Sequence, residues 1–234
     1  EPGHYRNGSI VIQNPPLPTD HLNHSWVTRV LPHIEEQAVF DKYDFTTAWD
    51  RGTNLDLTKR PGTAINFKFL LCPSTEHIGD GQSDYGAING PGNYNHFGLN
   101  IPNGYCHKSS GCTATGYGYS EGAMIVIGPL DDTKDNRHIS VGKITDGTTY
   151  QIMLGECAGR TDADRYWGNG DHAYVHHELV FNVTPNNEMY SDHPGGLHLG
   201  MADGSVRYWG ESGEKKIIDF MSTRARSEQV NDAP

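Results

Sequence analysis

Apolar residues follow a helical spacing in the first part of the chain. Over residues 25–43 they recur every four positions and form one stripe, made by Trp26, Val30, Ile34 and Ala38. Ser25 is a suitable N-cap, and Pro32 predicts either a kink or a helix that begins at that proline. A second, shorter helix is predicted over residues 49–59, where the sequence Arg-Pro-Gly ends it.

Beyond residue 60 the apolar runs are short and bounded by Gly, Pro, Asn and Ser, a pattern typical of β-strands. Residues 67–72 predict a buried strand, and further strands are predicted at 85–88, 123–127, 152–154 and 173–181. Asp203-Gly204 separates two more runs and predicts a hairpin with a type I′ turn, its strands at 198–202 and 205–209. A short helix over residues 214–221 is expected to close the fold.

These elements predict one α+β domain, in which an N-terminal helix packs on an antiparallel sheet with long loops and a C-terminal β-hairpin. We expect residues 25–223 to form this globular head and residues 224–234 to be a polar tail. Residues 1–24 are expected to form an extended arm, because their prolines cannot join a central strand. Within the arm, a β-prone run needs a partner surface, in this chain or in a neighbour; it contains Ile10, Val11 and Ile12.

The composition narrows the class of protein. The 234 residues carry 18 Lys and Arg against 29 Asp and Glu, a formal net charge of −11, which argues against nucleic acid as the main partner. Glycine is abundant, with 28 residues, and aromatic residues make up 10% of the chain, a balance typical of short strands and ordered loops. No apolar run reaches the roughly 18–20 residues that span a bilayer.

The four cysteines, at positions 72, 106, 112 and 157, do not form the Cys-x-x-Cys spacing of zinc and redox motifs. Cys106 and Cys112 flank a short polar segment, which suits a local disulfide. Cys72 and Cys157 remain as a second pair, and buried thiols are the alternative to disulfides. Two disulfides would place the protein outside the cytoplasm.

Two groups of residues suggest a metal. An Asp-rich segment offers the hard oxygen ligands that calcium takes, namely Asp162, Asp164, Asn169 and Asp171. Turns favour the same residue types, so a calcium site there is one of two interpretations. His172 and His176 have the spacing of helical zinc proteases, but the glutamate that should follow the first histidine is replaced by alanine.

Other kinds of chemistry find little support in the sequence. It contains no Gly-x-Ser-x-Gly, P-loop or dinucleotide fingerprint. Loop aromatics such as Tyr117, Tyr119 and Trp167 either stack on sugars or fill the space between loops. The alternatives to a structural role are a glycan-binding module and a metal-dependent hydrolase, the latter built from nearby aspartates and His172, His176, His177 or His193.

Four segments in the same order resemble a large bacterial family of prepilin-type proteins of unknown function. The C-terminal signature is His193, nine further residues and Asp203-Gly204, within the sequence HPGGLHLGMADGSVRYW. The other three are the segment WVTRVLPHIEEQ that begins at Trp26, the segment FLLCPS around Cys72, and ITDGT with the IMLGE that follows it. Together they cover about residues 25–209.

The resemblance implies the soluble head of a type IV pilin or a type II secretion pseudopilin-like protein. Such proteins are anchored and polymerised by a hydrophobic N-terminal helix, and we expect membrane contact only through such a helix, which is not part of this sequence. We expect a non-enzymatic structural or surface-interaction protein outside the cytoplasm. Its expected partners are copies of itself or other cell-surface and secretion components.

The residues themselves give two further structural expectations. His193 is expected to hydrogen-bond across to the Asp203-Gly204 turn, a role that needs no catalysis. The strand at residues 9–13 is expected to add to the sheet edge of a neighbouring molecule. Removing residues 1–18 should then abolish assembly while the head stays folded.

Overall fold

The computed structural model describes ten parts of the chain: residues 4–6, 9–11, 24–91, 122–124, 139–161, 163–170, 173–176, 182, 189–213 and 215–225. Within them the chain forms short helices and two β-sheets. This is the α+β class that the sequence predicts.

The N-terminal arm contains a small two-stranded sheet. β1 (His4–Arg6) and β2 (Ser9–Val11) pair antiparallel, with Arg6 opposite Ser9. Ile10 and Val11 therefore have a partner strand in their own chain, while Ile12 lies outside the described residues. The signal for this pairing is the dipeptide at residues 7 and 8, since Asn-Gly is a favoured two-residue hairpin loop, and the sequence analysis missed it.

The predicted N-terminal helix is broken into three short pieces. α1 (Trp26–Val30) is followed by a 3-10 turn, Leu31–His33, and then by α2 (Gln37–Phe40). Pro32, inside the turn, has no N–H for the next helical hydrogen bond. Glu35 then adopts a left-handed φ of 66°, which interrupts the helix before α2. The break between α1 and α2 therefore lies at Glu35, after the 3-10 turn that contains Pro32, and α2 begins at Gln37 and not at the proline.

The second predicted helix is confirmed as α3 (Gly52–Thr58). By contrast, the buried strand predicted at 67–72 is wrong. Lys68–Leu70 is a 3-10 turn, in which the N–H of Leu70 donates to the carbonyl of Phe67 at 2.9 Å. A period of three residues buries Phe67 and Leu70 and leaves Phe69 half exposed, so the apolar run serves a turn and not a strand.

Five strands form the main sheet: β3 (Tyr85–Pro91), β4 (Ile152–Glu156), β5 (Ala173–His176), β6 (Gly196–Met201) and β7 (Val206–Gly210). Their order across the sheet is β5-β3-β4-β6-β7. The antiparallel prediction is confirmed for β3, β4, β6 and β7, whereas β5 runs parallel to β3. The strand predicted at 123–127 lies mostly outside the described residues.

Two hydrophobic clusters fill the head. The first joins the sheet to α4 (Lys215–Met221), the predicted closing helix, and includes Ile152, Leu197, Leu199 and Ile218. The second gathers α1, α2 and α3 around Trp167. The helix that shares a cluster with the sheet is thus the C-terminal α4, whereas α1 packs in the second cluster.

β6 and β7 form the predicted hairpin, but the expected type I′ turn is wrong. Met201 donates its N–H to the carbonyl of Ser205, so three residues form the loop. Gly204 alone in that loop has a positive φ, of 85°, and its N–H donates to the Met201 carbonyl at 3.0 Å. This is a type I turn followed by a left-handed glycine bulge, the usual form of a three-residue hairpin loop.

The packed structure reaches past the expected start of the polar tail. Arg224 is buried, and its carbonyl accepts hydrogen bonds from the N–H groups of Thr145 and Asp146 at 2.8 and 3.3 Å. Its guanidinium also donates to the Gly122 carbonyl at 3.0 Å. Among the described residues, no helix is long and apolar enough to cross a membrane.

Candidate functional site

A polar group lies on the face of the sheet opposite α4. Along β6, Leu197, Leu199 and Met201 belong to the cluster that packs with α4, so the alternation of a strand turns His198 to the other face. Glu156, the last residue of β4, meets His198 on that face. His193, just before β6, and Cys72 complete the group.

The imidazole of His193 lies at the centre of this group. Its Nε2 is 3.2 Å from Oε1 of Glu156 and 3.5 Å from Sγ of Cys72. Its Nδ1 is 3.2 Å from the hydroxyl of Ser74. The Nδ1 of His198 is 3.4 Å from the same Glu156 oxygen, and the two histidine rings meet edge to face with their centroids 4.7 Å apart.

The group is buried at one end and open to solvent at the other. Cys72 has no exposed surface and the Glu156 side chain is 2% exposed, whereas the side chains of His193 and His198 are 22% and 39% exposed. A buried carboxylate is costly unless it is paired or hydrogen-bonded. Glu156 meets this need through the backbone N–H of His198, which donates to Oε2 at 2.7 Å, and through the imidazoles beside Oε1.

Asp84, just before β3, holds the Cys72 segment against the sheet. The N–H of Cys72 donates to Oδ2 and the side-chain amide of Gln82 donates to Oδ1, both at 2.7 Å. The Asp84 carbonyl accepts the N–H of Cys157 at 2.8 Å, so one residue links both cysteines. Burial raises the pKa of Asp84, and the two hydrogen bonds to its carboxylate oppose that rise. Burial also raises the pKa of the neighbouring Tyr85 to about 12.

The structure corrects the expected disulfide between Cys72 and Cys157. Both are buried thiols that are not joined to each other. Cys157 belongs to the hydrophobic cluster of the sheet and α4, whereas the Cys72 sulfur faces His193. Cys106 and Cys112 lie outside the described residues, so their pairing stays a prediction.

The expected hydrogen bond between His193 and the hairpin turn is also wrong. The strand β6 separates them, and at about 3.3 Å per residue its six residues place the two ends roughly 20 Å apart. Asp203 accepts hydrogen bonds from the hydroxyl and the N–H of Ser205 at 2.6 and 2.9 Å, and these bonds lower the pKa of its carboxyl. Asp203 and Gly204 therefore form the turn, and His193 belongs to the polar group.

The predicted calcium ligands are described only in part. Asn169 is buried and its side-chain amide donates to the Ala163 carbonyl at 3.1 Å. Asp162, Asp171 and the side chain of Asp164 lie outside the described residues, so calcium binding stays a prediction.

The structure describes only some of the histidines and aromatic residues named for the hydrolase and glycan-binding alternatives. His172, His177 and the side chain of His176 lie outside the described residues, as do Tyr117 and Tyr119. Trp167 has no exposed surface, and its Nε1–H donates to the Ile65 carbonyl at 3.0 Å. The prediction that Trp167 could stack on a sugar is therefore wrong, because its ring is enclosed in the core.

Glu156 and His198 are the site residues that the sequence analysis missed. Each interrupts an apolar run with a polar side chain: Glu156 ends IMLGE, and His198 separates Leu197 from Leu199. The available signals were a charged residue at the end of one buried strand and a histidine between two leucines of another.

The chain was compared with models of known protein families, with curated proteins and with solved structures. A family model described as a protein of unknown function (DUF1559) matches residues 2–182. The match includes Cys72 and Glu156, and it ends before His193 and the C-terminal signature. No curated protein matches the chain. No solved structure matches it either.

Proposed function

Because this chain belongs to the DUF1559 family of proteins of unknown function, we propose that it is a non-enzymatic structural subunit that works outside the cytoplasm. In this proposal it is the head of a pilin-like or pseudopilin-like protein and assembles with copies of itself. Three of the four segments that resemble prepilin-type proteins lie within the matched residues. The α+β architecture with an antiparallel sheet also supports the proposal.

The observation that carries the proposal is the edge strand β7. It is the last strand of the sheet and pairs with β6 along one side. Val206 is 69% exposed and Tyr208 is 47% exposed, while Trp209, on the opposite face of the strand, is buried. An edge strand that exposes apolar side chains is a ready partner for a strand of another chain.

We infer that the partner of β7 is the β1–β2 hairpin of a neighbouring copy. A two-stranded sheet on its own is only marginally stable in water, so the hairpin gains stability by joining a larger sheet. Each copy carries one such hairpin and one β7 edge. A contact between two different surfaces is head-to-tail, and it produces a filament unless the rotation closes a ring.

The test compares assembly of four chains: the natural sequence, a deletion of residues 1–18, Val206→Lys and Val141→Lys. Val141 is a matched control, because it is also 69% exposed but lies in the 3-10 turn Val141–Lys143 and outside the sheet. Sedimentation velocity and electron microscopy should show filaments or rings for the natural chain and for Val141→Lys. The deletion and Val206→Lys should remain monomeric and keep the thermal midpoint of the natural head.

Two results would contradict the proposal. One is a natural chain that stays monomeric at every concentration tested. The other is assembly of Val206→Lys that matches assembly of Val141→Lys, since that would place the subunit contact away from β7.

A further inference from the structure

We propose that Cys72, Glu156 and His193 bind a zinc ion, with His198 as the fourth ligand, and that this ion fastens the Cys72 segment to the sheet. The site would be structural, because its thiol is buried and its ligands come from three separate parts of the chain. Cysteine, histidine and glutamate are all ordinary zinc ligands, and zinc accepts a mixed set of sulfur, nitrogen and oxygen.

The distances between the ligand atoms fit a tetrahedral ion. With bonds of about 2.3 Å to sulfur and about 2.05 Å to nitrogen or oxygen, tetrahedral angles separate sulfur from nitrogen by about 3.6 Å and nitrogen from oxygen by about 3.3 Å. The observed separations from Nε2 of His193 are 3.5 Å to the Cys72 sulfur and 3.2 Å to the Glu156 oxygen. All three atoms lie within 4.8 Å of one another, compared with about 3.6 Å between sulfur and oxygen on one tetrahedral ion.

Hydrogen bonds alone do not satisfy all the polar atoms of this group. A single nitrogen of His193 faces both the Cys72 thiol and the Glu156 carboxylate. An imidazole nitrogen carries either one hydrogen or one lone pair, so it satisfies one of these neighbours. A cation coordinated by all three groups gives each its own contact, and it balances the charge of a buried thiolate and a buried carboxylate.

The surroundings orient the ligands as metal sites require. The Ser74 hydroxyl lies 3.2 Å from Nδ1 of His193, and with an ion bound it would accept the ring hydrogen there and leave the Nε2 lone pair for the ion. The backbone N–H of His198 donates to Oε2 of Glu156, which leaves Oε1 toward the group. Nδ1 of His198 lies 3.4 Å from Oε1 but is not among the three atoms that lie within 4.8 Å of one another, so its ring would have to move to complete the tetrahedron.

A nucleophilic cysteine is the competing interpretation, since Cys72 and His193 are a thiol and a base in contact. Two features argue against it. The thiol has no exposed surface for a substrate to reach. The carboxylate also shares Nε2 with the thiol, whereas an orienting acid in such a site contacts the other ring nitrogen.

Cobalt and zinc titrations test the proposal on the full chain in a Cys106→Ser, Cys112→Ser background, in which Cys72 and Cys157 are the remaining thiols. After treatment with a chelator, Co²⁺ should produce a thiolate-to-cobalt charge-transfer band that saturates at one equivalent and is displaced by Zn²⁺. Cys72→Ser should abolish the band, and Cys157→Ser, the matched loss of a buried thiol, should retain it. Ser74→Ala should weaken zinc binding roughly 10- to 100-fold.

Two further readouts do not depend on the folding of a ligand variant. Zinc should raise the thermal midpoint of the background chain, and it should slow reaction of Cys72 with a thiol reagent. A titration without a saturating thiolate band would overturn the proposal. So would zinc affinity that is unchanged by Cys72→Ser, or a Cys72 thiol that reacts equally fast with and without zinc.

Discussion

At the scale of single residues, His24 shows how neighbouring groups determine the position of a ring hydrogen and the pKa of a histidine. Its Nε2 lies 3.2 Å from the Phe45 carbonyl, which can only accept, so Nε2 carries the hydrogen. In the neutral ring, Nδ1 lies 2.9 Å from the Tyr43 hydroxyl and accepts a hydrogen bond from it. Burial lowers the pKa of His24, and the nearby Arg29 guanidinium lowers it further, against the opposing effect of the Phe45 carbonyl.

The lowered pKa makes stability depend on pH. Below about pH 6.5 His24 binds a proton in the unfolded chain but not in the folded chain. The free energy of unfolding therefore decreases as the pH is lowered, until the pH is below the folded-state pKa. We expect the free energy of unfolding to decrease from pH 7.5 to pH 5.5. His24→Gln should show a smaller decrease over the same interval in urea titrations. An equal decrease in both chains would show that other groups cause the pH dependence.

At the scale of elements, the sequence predicted the helices and the hairpin that are determined by residues close together in the chain. The β6–β7 hairpin, α3 and α4 were predicted correctly because each has a local turn or an uninterrupted pattern. The run at 67–72 misled, since apolar residues three apart suit a 3-10 turn as well as a strand. The break at Glu35 had no local signal beyond Pro32.

The candidate site was predicted only in pieces. His193 was singled out for its motif and Cys72 for a disulfide, yet the two are 121 positions apart in the chain and 3.5 Å apart in space. No spacing rule links residues at that distance, so their contact depends on the sheet order. Glu156 enters the site because β4 lies next to β6, a neighbour relation that skips β5.

The hairpin loop allows a prediction at the same scale. Gly204 has a φ of 85°, and a Cβ added there would meet nothing within 4 Å, so a substitution tests the backbone alone. Gly204→Ala should destabilise the fold by roughly 1–2 kcal/mol, the cost of a left-handed conformation for an ordinary residue. Gly204→Asn should cost less, because asparagine tolerates this region. Chemical denaturation measures both; equal losses would contradict the backbone explanation.

At the scale of the whole molecule, the C-terminal segment decides whether the sheet has a core. α4 supplies Ile217, Ile218 and Met221 to the cluster that covers one face of the sheet. The buried Arg224 then links the segment after α4 to Thr145 and Asp146. The head therefore depends on residues that follow its last strand by only a few positions.

Two truncations test this dependence. A chain that ends at Gly213 should show no cooperative thermal transition, because the apolar face of the sheet would be exposed to water. A chain that ends at Ala225 should keep a thermal midpoint within a few degrees of the full chain, measured by circular dichroism. Cooperative unfolding of the shorter chain would show that α4 is dispensable to the core.

The order of strands across the sheet has a consequence for how the molecule folds. The β6–β7 hairpin closes a three-residue loop, whereas contact between Cys72 and His193 closes one of more than a hundred residues. Short loops close at lower entropic cost and earlier than long ones. We therefore expect the hairpin to form before the Cys72 segment docks, so that the Cys72 thiol is exposed to solvent early in folding. In that interval the thiol is open to oxidation, and docking against His193 and Glu156 ends the exposure.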